Sequence, residues 1–376
     1  MDNLPMGTTA SGSKPCSQTD PGGARALASP ADLAENYPLG ECGADLIAQS
    51  RRDIAAALAG DDDRLVVVVG PCSIHDPDAA LDYARRLAHV AWASADDLIV
   101  VMRVYLEKPR TVAGWKGLTN DPGLDGSFDV NEGLRRAREL LLEVTRLGLP
   151  CATEFLDTLI GPYYSDLVSW GVIGARTVES QVHRELASGL SMPVGFKNRT
   201  DGDVRVAVDA IRAARLAHHV PGITPRGEPV VIGTSGNLRT HVVLRGGTRG
   251  PNFSAANVSA VLDLLRGHGL PPHVMVDCGH ANSGKDPSRQ PVVASSLAAR
   301  VRDGDRAIAG IMLESNLVAG SQEASAKPLV YGQSITDACL SWNATVPVLD
   351  ELAAAVKARR RLTSYSSSGT LEQVSP

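Results

Sequence analysis

Eight short, nearly continuous apolar runs, each separated from the next by a longer stretch, limit what this chain can fold into more than any other feature. The runs are Arg64–Val69, Leu98–Arg103, Pro150–Glu154, Val172–Arg176, Pro193–Lys197, His241–Arg245, His273–Asp277 and Ile308–Glu314. They are rich in Val, Ile and Leu and lack strict alternation, as strands buried on both faces do in a parallel sheet covered by helices. Between them, Asp78–Ala93, Asn131–Leu147, Asp203–His218 and Ala255–Gly267 carry apolar residues at helical spacing. Eight βα units over residues 64–356 predict an α/β fold, a (β/α)8 TIM barrel. A doubly wound open sheet is the alternative, but no Gly-x-Gly-x-x-Gly fingerprint follows the first run.

The remaining segments fit around that barrel. Pro221–Asn237 is too long for a plain helix-to-strand loop and predicts an inserted β-hairpin before strand 6. Leu46, Ile47, Ile54 and Leu58 share one helical face, so residues 31–63 read as an N-terminal helical arm. Residues 1–30, rich in Gly, Ser, Thr and Pro, read as a disordered tail, and residues 357–376 as a flexible C-terminal tail.

Charge and composition then narrow the partners. With 37 basic and 42 acidic residues, the net charge of −5 and the lack of any basic block argue against nucleic-acid binding. No run of 18 apolar residues is present to span a membrane. The first residues lack the charged and apolar regions of a secretory leader. Six cysteines in 376 residues are too few for a disulfide framework, so a reduced, cytoplasmic protein is expected.

Each run ends in, or is followed closely by, a reactive or charged residue: Cys72, Arg103, Glu154, Arg176, Lys197, Arg245, His280 and Glu314. In a closed barrel all strand C-termini open on one face, so these side chains converge on one mouth. Cys72, His280 and Glu314, joined by Asp337, offer one sulfur, one nitrogen and two oxygen donors. That set suits a borderline divalent ion such as Mn, Fe, Co or Zn better than Mg or Ca. Arg103, Lys108, Arg110, Arg176, Lys197 and Arg245 supply more positive charge than one phosphate requires. Two phosphorylated or carboxylated small molecules would use them all. Gly246-Gly247 offers backbone N–H groups to an oxyanion.

Seven motifs carry a family likeness. They are Gly70-Pro-Cys-Ser-Ile-His-Asp, Met102-Arg-Val-Tyr-Leu-Glu-Lys-Pro-Arg-Thr with Gly114-Trp-Lys-Gly-Leu, Gly174-Ala-Arg-Thr-Val-Glu-Ser-Gln, Gly195-Phe-Lys-Asn, Leu244-Arg-Gly-Gly, Asp277-Cys-Gly-His-Ala-Asn-Ser and Tyr331-Gly-Gln-Ser-Ile-Thr-Asp-Ala-Cys. In this order, over residues 31–356, the chain resembles type I 3-deoxy-D-arabino-heptulosonate 7-phosphate (DAHP) synthases. The resemblance implies a metal-containing (β/α)8 barrel. It also implies condensation of phosphoenolpyruvate with erythrose 4-phosphate, the first step of the shikimate pathway to chorismate and the aromatic amino acids.

Carried over by motif, Cys72, His280, Glu314 and Asp337 are metal ligands. Arg103, Lys108, Arg176, Lys197 and Arg245 form the phosphoenolpyruvate pocket. Glu154 holds a catalytic water or a phosphate contact, and Lys197 or His280 transfers a proton. The segment Lys108-Pro109-Arg110-Thr111 receives erythrose 4-phosphate, and differs from the corresponding segment of the octulosonate synthases. The same resemblance implies feedback by an unassigned aromatic amino acid, involving the arm, Thr158–Pro162 and Leu190-Ser191. It also implies a homo-oligomer, dimer or tetramer. Arg199 departs from the family's usual Gly and is expected to point to solvent.

Overall fold

The structure, a computed structural model, describes residues 25–112 and 114–368. Two helices come first, α1 (Pro30–Asn36) and α2 (Glu41–Ala59). Ser29 starts α1 with a capping box, its hydroxyl accepting from Asp32 N–H while the Asp32 carboxylate accepts from Ser29 N–H. The repeating units follow: β1 (Leu65–Gly70), α3 (Pro77–Ala93), β2 (Leu98–Arg103), α4 (Val130–Arg146), β3 (Cys151–Glu154), β4 (Trp170–Ile173), α5 (Gln181–Gly189), β5 (Val194–Lys197) and α6 (Arg205–Ala214). Next come β6 (His219–Ile223), β7 (Pro229–Gly233), β8 (Thr240–Leu244), α7 (Ala255–Gly267), β9 (Val274–Asp277), α8 (Gln290–Arg302), β10 (Ile308–Asn316), the short β11 (Leu340–Ser341) and α9 (Trp342–Ser368).

Strands β1, β2, β3, β4, β5, β8, β9 and β10 pair in that order, all parallel, and β10 returns to β1 with Val68 opposite Met312. The barrel is closed. Strands β6 and β7 form a separate antiparallel hairpin, as the sequence predicts. Its turn meets the arm: Ala31 N–H donates to Pro225 O, and Arg226 pairs with Asp32 and Glu35.

The period of two along each strand sorts its side chains between two cores. Val66, Val68, Val101, Ala152, Val172, Val243, Met275 and Met312 cluster inside the barrel, and Ile54, Ala57 and Leu58 of α2 join them. Val67, Val69, Val100, Val242 and Val276 belong instead to the layer between strands and helices. Two residues beyond five of the inward set stand Arg103, Glu154, Arg245, Asp277 and Glu314. The apolar interior thus ends in a charged layer at the strand C-termini.

The elements differ from the sequence reading in a few places. Strand β4 stops at Ile173 because Gly174 starts a turn, its carbonyl accepting from Thr177 and Val178, so Arg176 lies in the turn. A Cβ at Gly174 would lie 2.1 Å from Glu154 Oε1, so a larger residue there would push the Glu154 carboxylate aside. Helix α6 ends at Ala214, where the chain leaves for the hairpin.

Helix α9 continues to Ser368, past residue 356 where a flexible tail was expected. Arg360 ties it down, 2.6 Å from Asp63 Oδ1 and 2.8 Å from Asp97 Oδ1, with Lys357 3.3 Å from Asp97. Of the expected N-terminal tail, residues 1–24 lie outside the described residues, as do 369–376 of the C-terminal one.

Candidate active site

The charged layer floors a cavity of about 890 Å³ at the strand C-termini, lined by Lys108, Arg110, Glu154, Arg176, Lys197, Arg245, His280 and Asp337 among others. Pro109 and Thr111 line it too, so the whole Lys108–Thr111 segment faces the same space. Arg110 Nε donates to Trp115 O at 2.8 Å, which folds that segment back on itself. No acidic side chain is paired with Arg176 or Arg245 among the described residues. Half-buried cations left without anions are costly unless a ligand supplies the charge.

Below the cavity, ligand atoms of Cys72, Glu314 and Asp337 lie within 4.8 Å of one another. Cys72 and Glu314 are buried, whereas the Asp337 side chain is 60% exposed and gives the group an open side. A thiol, two carboxylates and an opening fit a divalent ion. Burial, reinforced by Glu314, pushes the Cys72 thiol up to about 12 despite nearby Lys108, so the thiolate needs a cation beyond those present. Burial also works to raise Asp337, but Lys108 and His280 outweigh it and hold its carboxyl well below the ordinary range.

His280 is not within that three-residue group. It stands beside it, lining a smaller recess together with Glu314 and Asp337. Its Nδ1 lies 2.9 Å from Asp277 Oδ2, and its backbone is held at a φ of 53°. Gln290 fixes the strand end beneath: its amide donates to Glu314 O at 3.0 Å and accepts from Glu314 N–H at 2.9 Å.

Two sequence readings change here and a third holds. Arg103 does not line the cavity but is fully buried under it, because its strand parity points it into the barrel. Its Nη2 lies 3.2 Å from Glu314 Oε1, its Nε donates to Pro71 O, and its guanidinium sits 3.8 Å above the Tyr105 ring. The Gly246-Gly247 amides are already committed, Gly246 N–H to Asn252 Oδ1 at 2.7 Å and Gly247 N–H to Gly250 O at 3.0 Å. Those glycines serve close packing instead: a Cβ at Gly246, whose φ is +69°, would lie 2.8 Å from the backbone of Ala281 and Asn282. Arg199 is absent from the cavity wall and pairs at the surface with Glu179 and Asp201, in line with the solvent-facing expectation.

Other residues were not singled out by the sequence. Lys285 and Arg289, on the loop after β9, add two cations to the wall. Asn198, next to Lys197, accepts from Arg245 N–H at 2.8 Å and donates to Gly246 O at 2.8 Å, fixing the β8 end. Asp277, fully buried, lies 3.2 Å from Lys197 through the same Oδ2 that faces His280. Burial disfavours its charge, but His280 and Lys197 outweigh that and hold its carboxyl well below the usual range. Its position as the last, charged residue of an apolar run was the available signal.

The arm reaches Ser191, in one of the two segments singled out for feedback, and the N-terminal chain meets Tyr163 just beyond the other. Arg51 of α2 donates to Ser191 Oγ at 2.8 Å and to Val168 O, and Tyr163 OH donates to Ala28 O at 2.7 Å.

The comparisons with known proteins agree on one family. The model of the DAHP synthetase I family matches residues 45–350. The Phe-sensitive phospho-2-dehydro-3-deoxyheptonate aldolase of Escherichia coli K12 is 53% identical over 335 residues, covering 89% of this chain and 95% of that protein. The tyrosine-inhibited enzyme of Schizosaccharomyces pombe is 52% identical over 334 residues, covering 88% and 90%. The solved structure of phospho-2-dehydro-3-deoxyheptonate aldolase from Francisella tularensis SCHU S4 superposes with a TM-score of 0.88 at 49% identity, covering 90% of this chain and 99% of that one.

Proposed function

This chain belongs to the DAHP synthetase I family, and from that premise we propose how its residues carry out the family's reaction. The chain is a 3-deoxy-7-phosphoheptulonate synthase, a metal-dependent transferase. It joins phosphoenolpyruvate, erythrose 4-phosphate and water into DAHP and inorganic phosphate. The observation that carries our reading is the pairing of a three-donor group with a wall of cations that lack anionic partners.

Cys72, Glu314 and Asp337, completed by His280 through the ring nitrogen not facing Asp277, would hold the divalent ion, which we assign to the set Mn, Fe, Co and Zn. When bound, such an ion supplies Lewis acidity toward an aldehyde oxygen and the alkoxide it becomes. Lys108, Arg176, Lys197 and Arg245 hold the phosphate and carboxylate of phosphoenolpyruvate, which fixes C3 for attack on the aldehyde. Arg110 and Thr111 take the sugar phosphate. Arg103 acts from below, orienting Glu314 through their 3.2 Å contact rather than touching substrate.

As C3 bonds to the aldehyde carbon, positive charge develops at C2, and water adds there before the C2–O bond to phosphate breaks. To Glu154, which is 5% exposed, lines the cavity and has no ion-pair partner among the described residues, we assign that water or a phosphate contact. A proton is needed at the new hydroxyl, and with both ring nitrogens of His280 committed to the ion and to Asp277, we assign its delivery to Lys197.

Feedback by an aromatic amino acid belongs to the same reading, supported by the contacts of the arm with Val168 and Ser191 and by the relatives' printed sensitivities. We assign the protein to the cytoplasm as a homo-oligomer; no helix among the described residues is long and apolar enough to cross a membrane. The test of function is consumption of phosphoenolpyruvate with erythrose 4-phosphate, before and after chelation. Consumption that stops on chelation and returns with a divalent ion supports the reading. Turnover only with a different phosphosugar would replace it with a sister activity, and no turnover with any aldehyde would leave a non-catalytic barrel.

A further inference from the structure

The reaction as derived gives Asp277 no part, yet its side chain is fully buried beside the cavity, at the end of β9. A carboxylate buried this way needs facing cations or donors. Oδ1 accepts from Gly279 N–H at 2.9 Å. Oδ2 lies 3.2 Å from Lys197 Nζ and 2.9 Å from His280 Nδ1. Neither approach is aligned as a hydrogen bond, so Asp277 Oδ2 and His280 Nδ1 are both buried atoms without an aligned partner. Unsatisfied atoms in a native interior call for an explanation. Hydrogen bonds in unloaded sites are often misaligned and tighten once a ligand binds. The loop also holds His280 at a φ of 53°, uncommon for a residue with a Cβ, which keeps the imidazole against Asp277.

We propose that Asp277 is a positioning residue that joins the two halves of the site. Its Oδ2 orients His280 so that the other ring nitrogen serves the ion, and anchors Lys197 so that the ammonium stays on the phosphoenolpyruvate side. The inference rests on the assignment of Cys72, His280, Glu314 and Asp337 to a divalent ion. Histidine ligands nearly always present their second nitrogen to a carboxylate, carbonyl or water, and losing that partner typically costs 10–100-fold in metal affinity. One oxygen serves both neighbours, so a change at 277 affects metal and phosphoenolpyruvate together. The sugar phosphate is held by Arg110 and Thr111 on a different loop, and its binding stays as it was.

The experiment is a cobalt(II) titration of the metal-free full chain, read by the visible absorption of the bound ion, with KM for each substrate measured at saturating metal. Wild type, Asp277→Asn and Cys72→Ala are compared. Asp277→Asn is expected to bind cobalt about 10–100-fold more weakly than wild type and to show a raised KM for phosphoenolpyruvate, with KM for erythrose 4-phosphate within about twofold. Equal cobalt affinity in wild type and Asp277→Asn, or an equal rise in both KM values, overturns the proposal. A wild type that binds no cobalt, or Cys72→Ala binding it as tightly as wild type, overturns the metal assignment itself.

If Asp277→Asn does not fold, Lys197→Met asks the same question by removing the other partner of Oδ2. It is expected to change cobalt affinity by about threefold or more, whereas Arg176→Met, a loss of equal charge without an Asp277 contact, leaves affinity within about twofold. Equal effects of those two variants would overturn the proposal.

Discussion

Lys108 Nζ lies 3.0 Å from Cys72 Sγ, so the ammonium of the segment assigned to substrate rests on a donor of the metal group. The same nitrogen is 3.5 Å from Asp337 Oδ2. Burial works against the charge of Lys108, but Cys72, Asp337 and Glu314 outweigh it and keep the ammonium firmly protonated. Charge at the floor and charge in the wall are therefore coupled through one side chain. A substrate anion and a metal ion bound here would act on a common set of groups.

Arg176 is the cleanest probe of the wall, because it lines the cavity with no acidic partner among the described residues. Arg176→Met removes a charged hydrogen bond worth roughly 1.5–3 kcal/mol. Steady-state kinetics should show kcat/KM for phosphoenolpyruvate falling by about tenfold or more. An unchanged value would remove Arg176 from the pocket.

Glu107, just before that segment, gives a pH signature. It is 4% exposed, and burial, with Asp157 beside it, pushes its carboxyl up to about 7 although the Asp157 and Leu156 N–H groups and Tyr164 favour its charge. In the folded state it holds a proton that the unfolded chain releases near 4.5. The stabilisation is thus full below 4.5, declines as pH rises, and is gone above about 7. Glu107→Gln should flatten the loss of stability over this window, by at most about 3 kcal/mol. Denaturant melts of both proteins at pH 5 and pH 8 measure it, and an equal slope in the variant would contradict the assignment.

Arg138 fastens the arm to the barrel. Its guanidinium is buried, donating to Tyr37 O at 2.9 Å and Tyr163 O at 3.0 Å and pairing with Asp166 at 2.8 Å. Removing one partner of such a network costs about 3–5 kcal/mol when both are buried. The Asp166 side chain is 45% exposed, so the low end, about 3 kcal/mol, is expected for Arg138→Met. Calorimetry should show a drop in Tm, and an unchanged Tm would mean that Arg138 does not fasten the arm.

Relatives printed as Phe-sensitive and tyrosine-inhibited are 53% and 52% identical to this chain, so overall likeness does not select an effector. Titrating phenylalanine, tyrosine and tryptophan, singly and in pairs, into the activity assay should give inhibition by at least one. Replacing Arg51, which links α2 to Ser191 and Val168, should weaken that inhibition more than it lowers basal activity. No response to any of the three would remove the regulatory reading.

The barrel was legible because eight runs buried on both faces leave few alternatives, and strands such as β2 fall on the residues expected for them. Strand β4 was read three residues too long at its end because Gly174 is apolar enough to read as strand, while its packing on Glu154 is a tertiary fact. The extent of α9 was illegible for a similar reason: Arg360 finds Asp63 and Asp97 only after the fold brings them close. Within the site, residue type identified the donors and cations but not their depth. Arg103 and Arg245 end similar runs, yet one is sealed beneath the cavity and the other opens onto it. Asp277 ends its run as Arg103 and Arg245 do, but that Lys197 and His280 face its carboxylate is known only from the fold.

The most direct test is the metal content of purified wild type and Cys72→Ala, measured by mass spectrometry alongside the activity of the same samples. The account predicts about one divalent ion per active wild-type chain, with ion and activity lost together in Cys72→Ala. A Cys72→Ala protein that keeps its turnover without the ion would contradict it.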